Sequence, residues 1–468
     1  MARTAFWVFA ILLALAPLPL GANRPWSDSL VAFAAGATLL LWALAAWRSG
    51  DGVNVSVRRI WPAGLLFLIL TGWFWVQAAM PVPTAWQHPL WAEARAALAG
   101  AGAETRGRIG LDAAAAGGTV TRFLAYAATF WLALQFGRKT DLAGRLLWIV
   151  TLAAFGFAVY GLSVQFGGWN TVLWYEKWAY RDAVTGPFVN RNHFATYTGL
   201  GLVTTLALLW TELRRKGGAG LSSLGGVLEF ADRAGFAVYF LLGNFVLLLT
   251  ALLLSDSRAG LLSSLAGLAA LVLALLIAYR RQLGGGLLAA ALVAGSAYLV
   301  IDVSGRDTAA RFAAMPREAQ IRVRLYETAT EALADRAYLG TGLGSFGGVY
   351  HQRRGADVPV WAAHADRAHN GYLELAVEGG LPALVGMVLL FGFLFLLCAY
   401  GLLHRRRDRV YPALGLAATV LVALHALVDF SLAIPAIGIT FMTLLGVACA
   451  QSWSNGNRRA PRRRAIRI

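Results

Sequence analysis

Charge is scarce in this chain. Only 14% of its 468 residues are charged, against about a quarter in an ordinary soluble domain, and 58% are hydrophobic. That balance excludes a water-soluble fold. Runs such as "FLLGNFVLLLTALLL" and "GLLSSLAGLAALVLALLIAY" approach or reach the ~20 apolar residues that cross a bilayer. Cysteine is nearly absent: Cys398 and Cys449 both lie inside apolar runs. A disulfide framework, a zinc cluster and a haem motif are thereby excluded, and both residues read as small buried hydrophobes. The glycine-rich "GTGLGSFGG" at 340–348 is followed by no Lys-Ser or Lys-Thr, which argues against a phosphate-binding loop. It reads instead as a flexible loop that gates a substrate. Acidic residues are also few, 24 against 41 Lys and Arg, giving a net charge of +17. Such an excess suggests nucleic acid, but its distribution has a better explanation.

What is present is a succession of apolar segments. Twelve candidate spans lie near 5–22, 29–47, 60–79, 119–137, 145–166, 193–212, 235–254, 259–279, 284–302, 376–400, 411–428 and 434–451. The first also has features of a signal peptide, since Arg3 precedes an apolar stretch ending in "PLGAN". With the N-terminus placed in the cytoplasm, the whole positive excess falls on the cytoplasmic side and the outer side is neutral. This is the positive-inside pattern. It assigns the basic tail, 452–468, to topology and the lipid surface rather than to nucleic acid. The chain thus divides into spans one to nine (1–302), an outer loop (303–368), spans ten to twelve (369–451) and the tail. An all-α polytopic membrane protein is expected. Within the loop, "PREAQIRVRLYETATEALADRAY" reads as an amphipathic helix, with Ile321, Leu325, Ala329 and Leu333 recurring every fourth residue. Such a helix would lie on the membrane surface or cover a cavity.

Five polar clusters fall on the outer side: "GPFVNRNHFATY", "SDSRAG", "RVRLYE", "HADRAHNGYLELAVEGG" and "HALVDFSLAIP". Their convergence on one face points to a site reached from outside. Arg258 stands in a short turn between two apolar runs, where an arginine is costly unless paired or hydrated. It either snorkels to the interface or serves an anion, for which guanidinium offers a rigid fork, with Asp256 to orient it. Arg191 and His193 head the sixth span, a plausible phosphate seat, and Asn190 and Asn192 are candidate caps. Of Arg322 and Arg324, Arg324 is preferred as the closer to the Ile321–Leu325 stripe.

His364 reads as an inert loop histidine. His369 precedes a turn and a helix start formed by Asn370, Gly371 and Tyr372, with Glu374 and Glu378 sharing one face. The two glutamates either answer the helix dipole or, with Asp366, orient His369 as a general base. His425 and Asp429, four apart, either function in a site or bond each other to lock helices.

Taken together, "FVNRNHFA", "SDSRAG", "RVRLYE…GTGLGSF", "HNGYLELAVEGGLPALVG" and "VDFSLAIP" resemble, in order, the O-antigen ligase and polymerase superfamily of bacterial envelope glycosyltransferases. The resemblance spans roughly 186–435, and the first half of the chain matches only as spans. It implies a fold like that of the multi-span, GT-C-type transferases of lipid-linked sugars, in the inner (cytoplasmic) membrane with the site facing the periplasm. The implied donor is a glycan on undecaprenyl diphosphate. The acceptor would be a lipid A core, a lipid-linked repeat or a protein. The family's outer-loop histidine base falls on His369, and its diphosphate-binding arginines fall on Arg258 and Arg324, with Arg191 third. The ligases' arginine pattern near the loop helix is not matched cleanly here. Asp256, His193, Asn370, Tyr372, Glu374, Glu378 and Asp429 would support the site. Direct attack on the anomeric carbon by an acceptor hydroxyl that His369 deprotonates would invert it. The bond to be broken is already activated, so no nucleotide or other cofactor is expected, and the sequence does not force a metal. The rival classes are a transporter of lipid-linked oligosaccharide and a non-catalytic envelope assembly factor.

Overall fold

A computed structural model describes residues 2–50, 52–101, 106–216, 224–279, 291, 294–295, 308–355 and 365–454. The expected ninth span at 284–302, His364 and most of the basic tail lie outside the described residues, apart from isolated positions.

Among the described residues the helices are α1 (Ala2–Leu15), α2 (Pro25–Ser49), α3 (Trp61–Ala79), α4 (Leu90–Leu98), α5 (Ala113–Phe136), α6 (Thr140–Phe166), α7 (Arg191–Arg215), α8 (Leu224–Leu253), α9 (Arg258–Ala278), α10 (Thr308–Asp335), α11 (Phe346–Arg353), α12 (Gly371–His404), α13 (Val410–His425) and α14 (Pro435–Ala450). A two-stranded hairpin, Thr171–Val172 with Tyr175–Glu176, follows α6. The protein is a polytopic helical membrane protein. Seven helices among the described residues are long and apolar enough to cross a bilayer: α2, α3, α6, α7, α8, α9 and α12. The twelve expected spans are therefore met only in part. Helix α5 lies where the fourth was expected, and three shorter apolar helices, α1, α13 and α14, lie at the first, eleventh and twelfth. The first expected segment, 5–22, is not one helix. It breaks after Leu15, where Pro17 and Pro19 remove amide donors and Gly21 turns to φ 70°.

Helix α7 is the hub, with 94% of its most apolar window buried inside the bundle. It is covered by α6, α8, α9 and α13, while α14 packs along α5. The outer helices expose large apolar side chains, such as Phe33 and Leu40 on α2, Leu68 on α3 and Leu396 on α12. A bilayer is the solvent such a surface requires. At the end of the bundle where α7 finishes, arginines close helix C-termini. Arg409 Nη1 donates to Ala278 O (2.7 Å), and Arg138 Nη1 donates to Ala450 O (2.9 Å) and Trp453 O (3.0 Å). These cations meet the negative ends of helix dipoles, so part of this end's basic charge serves as a capping layer.

At the opposite end a second, smaller apolar core forms. Leu325, Ala329 and Ala332 of α10 pack with Phe346, Val349 and Tyr350 of α11 and with Val377. The amphipathic stripe of the loop helix thus closes its own core instead of lying on the membrane. Ile321, its first expected member, lies outside the described side chains. Arg336 ties this unit to the segment after α3: Nη2 donates to Trp86 O (2.7 Å), Nη1 to Gln87 O (3.1 Å) and Nε to Gly340 O (2.9 Å). Hydrogen bonds from a charged donor contribute more than neutral ones. Arg336→Ala should therefore destabilise the protein by about 2–3 kcal/mol, read as a lowered thermal midpoint in detergent. An unchanged midpoint would mean water replaces these contacts at no cost.

Candidate functional site

The site is built where α7, α9 and α12 begin and α13 ends. His369 precedes α12 in a left-handed conformation, φ 51°. Asn370 caps the helix, its Oδ1 accepting the amides of Tyr372 (3.1 Å) and Leu373 (3.0 Å). Gly371 N donates to Ala426 O (2.8 Å) and Tyr372 Oη to Ala423 O (3.0 Å), which fastens this helix start to the end of α13. Tyr326 of α10 donates its hydroxyl to His369 O (3.1 Å) from the other side.

These anchors hold the His369 imidazole, whose side chain is 31% exposed, with Nδ1 3.5 Å from Asp429 Oδ1. Asp429 is wholly buried. Its Oδ2 accepts from Ser431 Oγ (2.7 Å) and lies 3.6 Å from His193 Nε2 of α7. Burial opposes its ionisation, but His193, His369, His425 and Ser431 together hold its carboxyl well below the usual carboxylate range. Ser431 Oγ also lies 3.1 Å from His425 Nδ1 and 2.9 Å from Thr196 Oγ1, and Thr196 Oγ1 is bonded to His425 Nδ1. His425 thus reaches Asp429 through Ser431 instead of pairing with it directly. The Phe430 ring packs edge-on against both His193 (4.8 Å) and His369 (5.1 Å).

The cations lie around this centre. Arg367 stacks over Phe430 (5.7 Å) and donates to Glu374 Oε1 (2.8 Å). Burial works against its charge, but Glu374, Glu378 and Asp366 together hold it above its ordinary range. Arg322 is half-buried and four residues before Tyr326, so the two share the face of α10 that meets the site. Burial pushes the Tyr326 phenol up, and the charges of both Arg322 and Asp429 reach it. At a neighbouring corner Arg191 Nη1 meets Asp256 Oδ2 at 2.7 Å, with its guanidinium over the Tyr180 ring (5.2 Å). Ser257 Oγ donates to Asn192 Oδ1 (2.8 Å), which places exposed Arg258, at the start of α9, beside the start of α7.

Several expected roles change. Glu374 and Glu378 do not orient His369. Glu374 Oε2 accepts the Ala368 amide (2.9 Å), and buried Glu378 Oε1 accepts the Phe346 amide (3.0 Å). Asp366 is exposed, and the imidazole is held by Asp429, about sixty positions on. Asp256 is engaged by Arg191. Asn190 caps α7, its Oδ1 accepting Asn192 N (2.8 Å), but Asn192 bonds Ser257 instead of capping. Arg324 is exposed on the far side of α10, so the helix phase favours Arg322 over it. The glycine-rich segment is no free gate: Thr341 N and Gly342 N donate to Val377 O (3.0 Å) and Glu378 O (2.9 Å). Sequence reasoning missed Arg367, Tyr326, Phe430, Ser431 and Thr196. All five lie in or beside the flagged clusters, but their partners come from distant segments.

The fold and site define a polytopic helical membrane protein with a histidine–aspartate centre ringed by arginines at one end of its bundle. Residues 243–388 match the family model described as O-antigen ligase, and this part of the chain carries a domain of that family. The matched segment includes Arg258, the loop helix and His369. Arg191, His193 and Asp429 lie outside it. No curated protein matches the chain.

Proposed function

We propose that the protein is a glycosyltransferase that moves a glycan from undecaprenyl diphosphate to an acceptor hydroxyl at the periplasmic face of the inner membrane, as an O-antigen ligase or polymerase. The observation that carries this reading is His369, which lies within the matched segment and is fixed by four anchors, with Nδ1 3.5 Å from a buried carboxylate and guanidinium groups nearby. Asp429 holds the tautomer that leaves Nε2 free to take the acceptor's proton. The acceptor oxygen then attacks the anomeric carbon from the face opposite the diphosphate. The C–O bond to the leaving diphosphate breaks and the configuration inverts. Negative charge grows on the departing diphosphate, so arginines fixed beside it stabilise the transition state more than the ground state. Arg258, Arg191 and Arg322 are the candidates for that role. No step needs a metal or nucleotide, because the donor already carries the activated bond.

Arg258→Lys replaces a fork by a point charge. It should lower transfer by about tenfold to a hundredfold and weaken binding of the lipid diphosphate. Donor affinity equal to wild type would assign Arg258 to interfacial snorkelling. The reading as a whole is tested with a deletion strain. Loss of long chains with single repeats retained identifies a polymerase. Accumulated lipid-linked polymer with a bare acceptor identifies a ligase. An unchanged envelope glycan would overturn both.

A further inference from the structure

Asp429 is shared. Two imidazoles address the same buried carboxylate from different segments, His369 just before α12 at Oδ1 (3.5 Å) and His193 on α7 at Oδ2 (3.6 Å). The His193 side chain is 4% exposed, and its Nε2, like His369 Nδ1 and Asp429 Oδ1, is buried with no hydrogen-bond partner among the described residues. Phe430 packs against both rings, at interplanar angles of 77° and 68°, and fixes their separation. A histidine serving only as filler at this position would not need a nitrogen aimed at the carboxylate that holds the proposed base.

We infer that His193 is a positioning residue that sets how strongly Asp429 holds His369. The inference rests on the reading of His369 as the base. An N–H on His193 Nε2, 3.6 Å from Oδ2, draws electrostatically on the carboxylate's charge, more weakly than the hydrogen bond from Ser431 at 2.7 Å. The remainder determines how firmly Asp429 stabilises the His369 imidazolium formed when the acceptor loses its proton. Without His193 the carboxylate would bind His369 more tightly. The base would then stay protonated to higher pH, and less of it would be free at neutral pH. The other ionisable groups around this pair are Arg322 and Tyr326 from α10, Arg367 and its partner Glu374 around the start of α12, and His425 at the end of α13. All are retained in the variants below.

The test needs no glycan. In the full-length protein in lipid nanodiscs, modification of His369 by diethyl pyrocarbonate is followed against pH by peptide mass spectrometry. His193→Phe should move the half-point of modification upward by about half a pH unit or more. His193→Gln, which keeps an N–H donor, should stay near wild type. Asp429→Asn should move the half-point in the opposite direction. In a transfer assay, His193→Phe should shift the acid limb of kcat upward and leave KM for the donor unchanged. An unchanged half-point in His193→Phe, or in His193→Met where the phenylalanine variant does not fold, would overturn the inference. If the half-points shift as expected but no lipid-linked glycan is ever transferred, the proposed function fails and the coupling of the two imidazoles stands.

Discussion

Replacing His369 by glycine should cut transfer by about a hundredfold or more and leave the fold at least as stable as before. The two effects have separate causes. The imidazole is the proposed base, and general bases contribute about a hundredfold to ten-thousandfold. Its loss should reduce turnover by that factor while the donor still binds. The backbone at this position has φ 51°, where a side chain costs about 1 kcal/mol or more relative to glycine. Glycine should relieve this, whereas His369→Ala should lose the same activity and keep the strain. The protein supplies its own probe of unfolding. Cys398 and Cys449 are buried and free, so a thiol-reactive dye reports when the bundle opens. Wild-type transfer in the glycine variant would remove His369 from the mechanism. A lowered unfolding midpoint would mean that the imidazole's contacts with Asp429 and Phe430 outweigh the strain. A catalytic group held in a disfavoured backbone conformation is what a site retains when function sets the residue and stability does not.

His369 was legible because its signals are local: a histidine, an asparagine cap and a helix start occupy neighbouring positions. The apolar spans were legible for the same reason, since length and hydropathy are properties of a single segment. The partner of His369 was not legible. Asp429 was noticed for its spacing from His425, but nothing within "HALVDFS" says that its carboxylate turns toward two histidines on distant segments. Pairing across the chain is set by how α7, α12 and α13 pack, and no periodicity encodes that. Glu374 and Glu378 show the converse. They lie near His369 in sequence and share a helix face, yet that face meets the 340–348 segment and the Arg367 backbone turn. The choice between Arg322 and Arg324 was within reach. Adjacent residues on a helix point about 100° apart, so adjacency to Leu325 says little. Arg322, three before Leu325 and four before Tyr326, borders the buried face, and Arg324 does not.

The change of one methyl group with the largest expected structural effect is Gly380→Ala. Helix α12 breaks there, with φ 78° at Gly380 followed by Pro382. The break frees backbone carbonyls, and the surrounding chain takes them up. Gln77 Nε2 donates to Glu378 O (3.1 Å), Trp73 Nε1 donates to Gly379 O (2.8 Å), and the amides of Thr341 and Gly342 bind Val377 O and Glu378 O. Leu381 N, freed in turn, donates to Ala337 O (2.7 Å). A Cβ at Gly380 would lie 2.5 Å from Tyr338 O, a backbone atom that cannot swing aside, and would also force an L-residue to positive φ. Gly340 faces the same junction from the other strand of chain, its Cβ position 2.3 Å from Glu378 O. The two segments therefore cross at backbone contact, and neither can retreat without breaking the hydrogen bonds just named. Strain and overlap together should cost about 3 kcal/mol or more. Because the kink sets how the start of α12 meets α10 and α11, transfer should fall as His369 is displaced from Asp429. Gly392→Ala is the matched control: it lies in the same helix, with no positive φ and nothing within 4 Å of the added methyl, and alanine is the better helix former. If the two variants have the same unfolding midpoint and the same transfer rate, the kink is not the pivot that holds the site on the bundle. A large loss confined to Gly380→Ala would show that this crossing of two glycines positions the base.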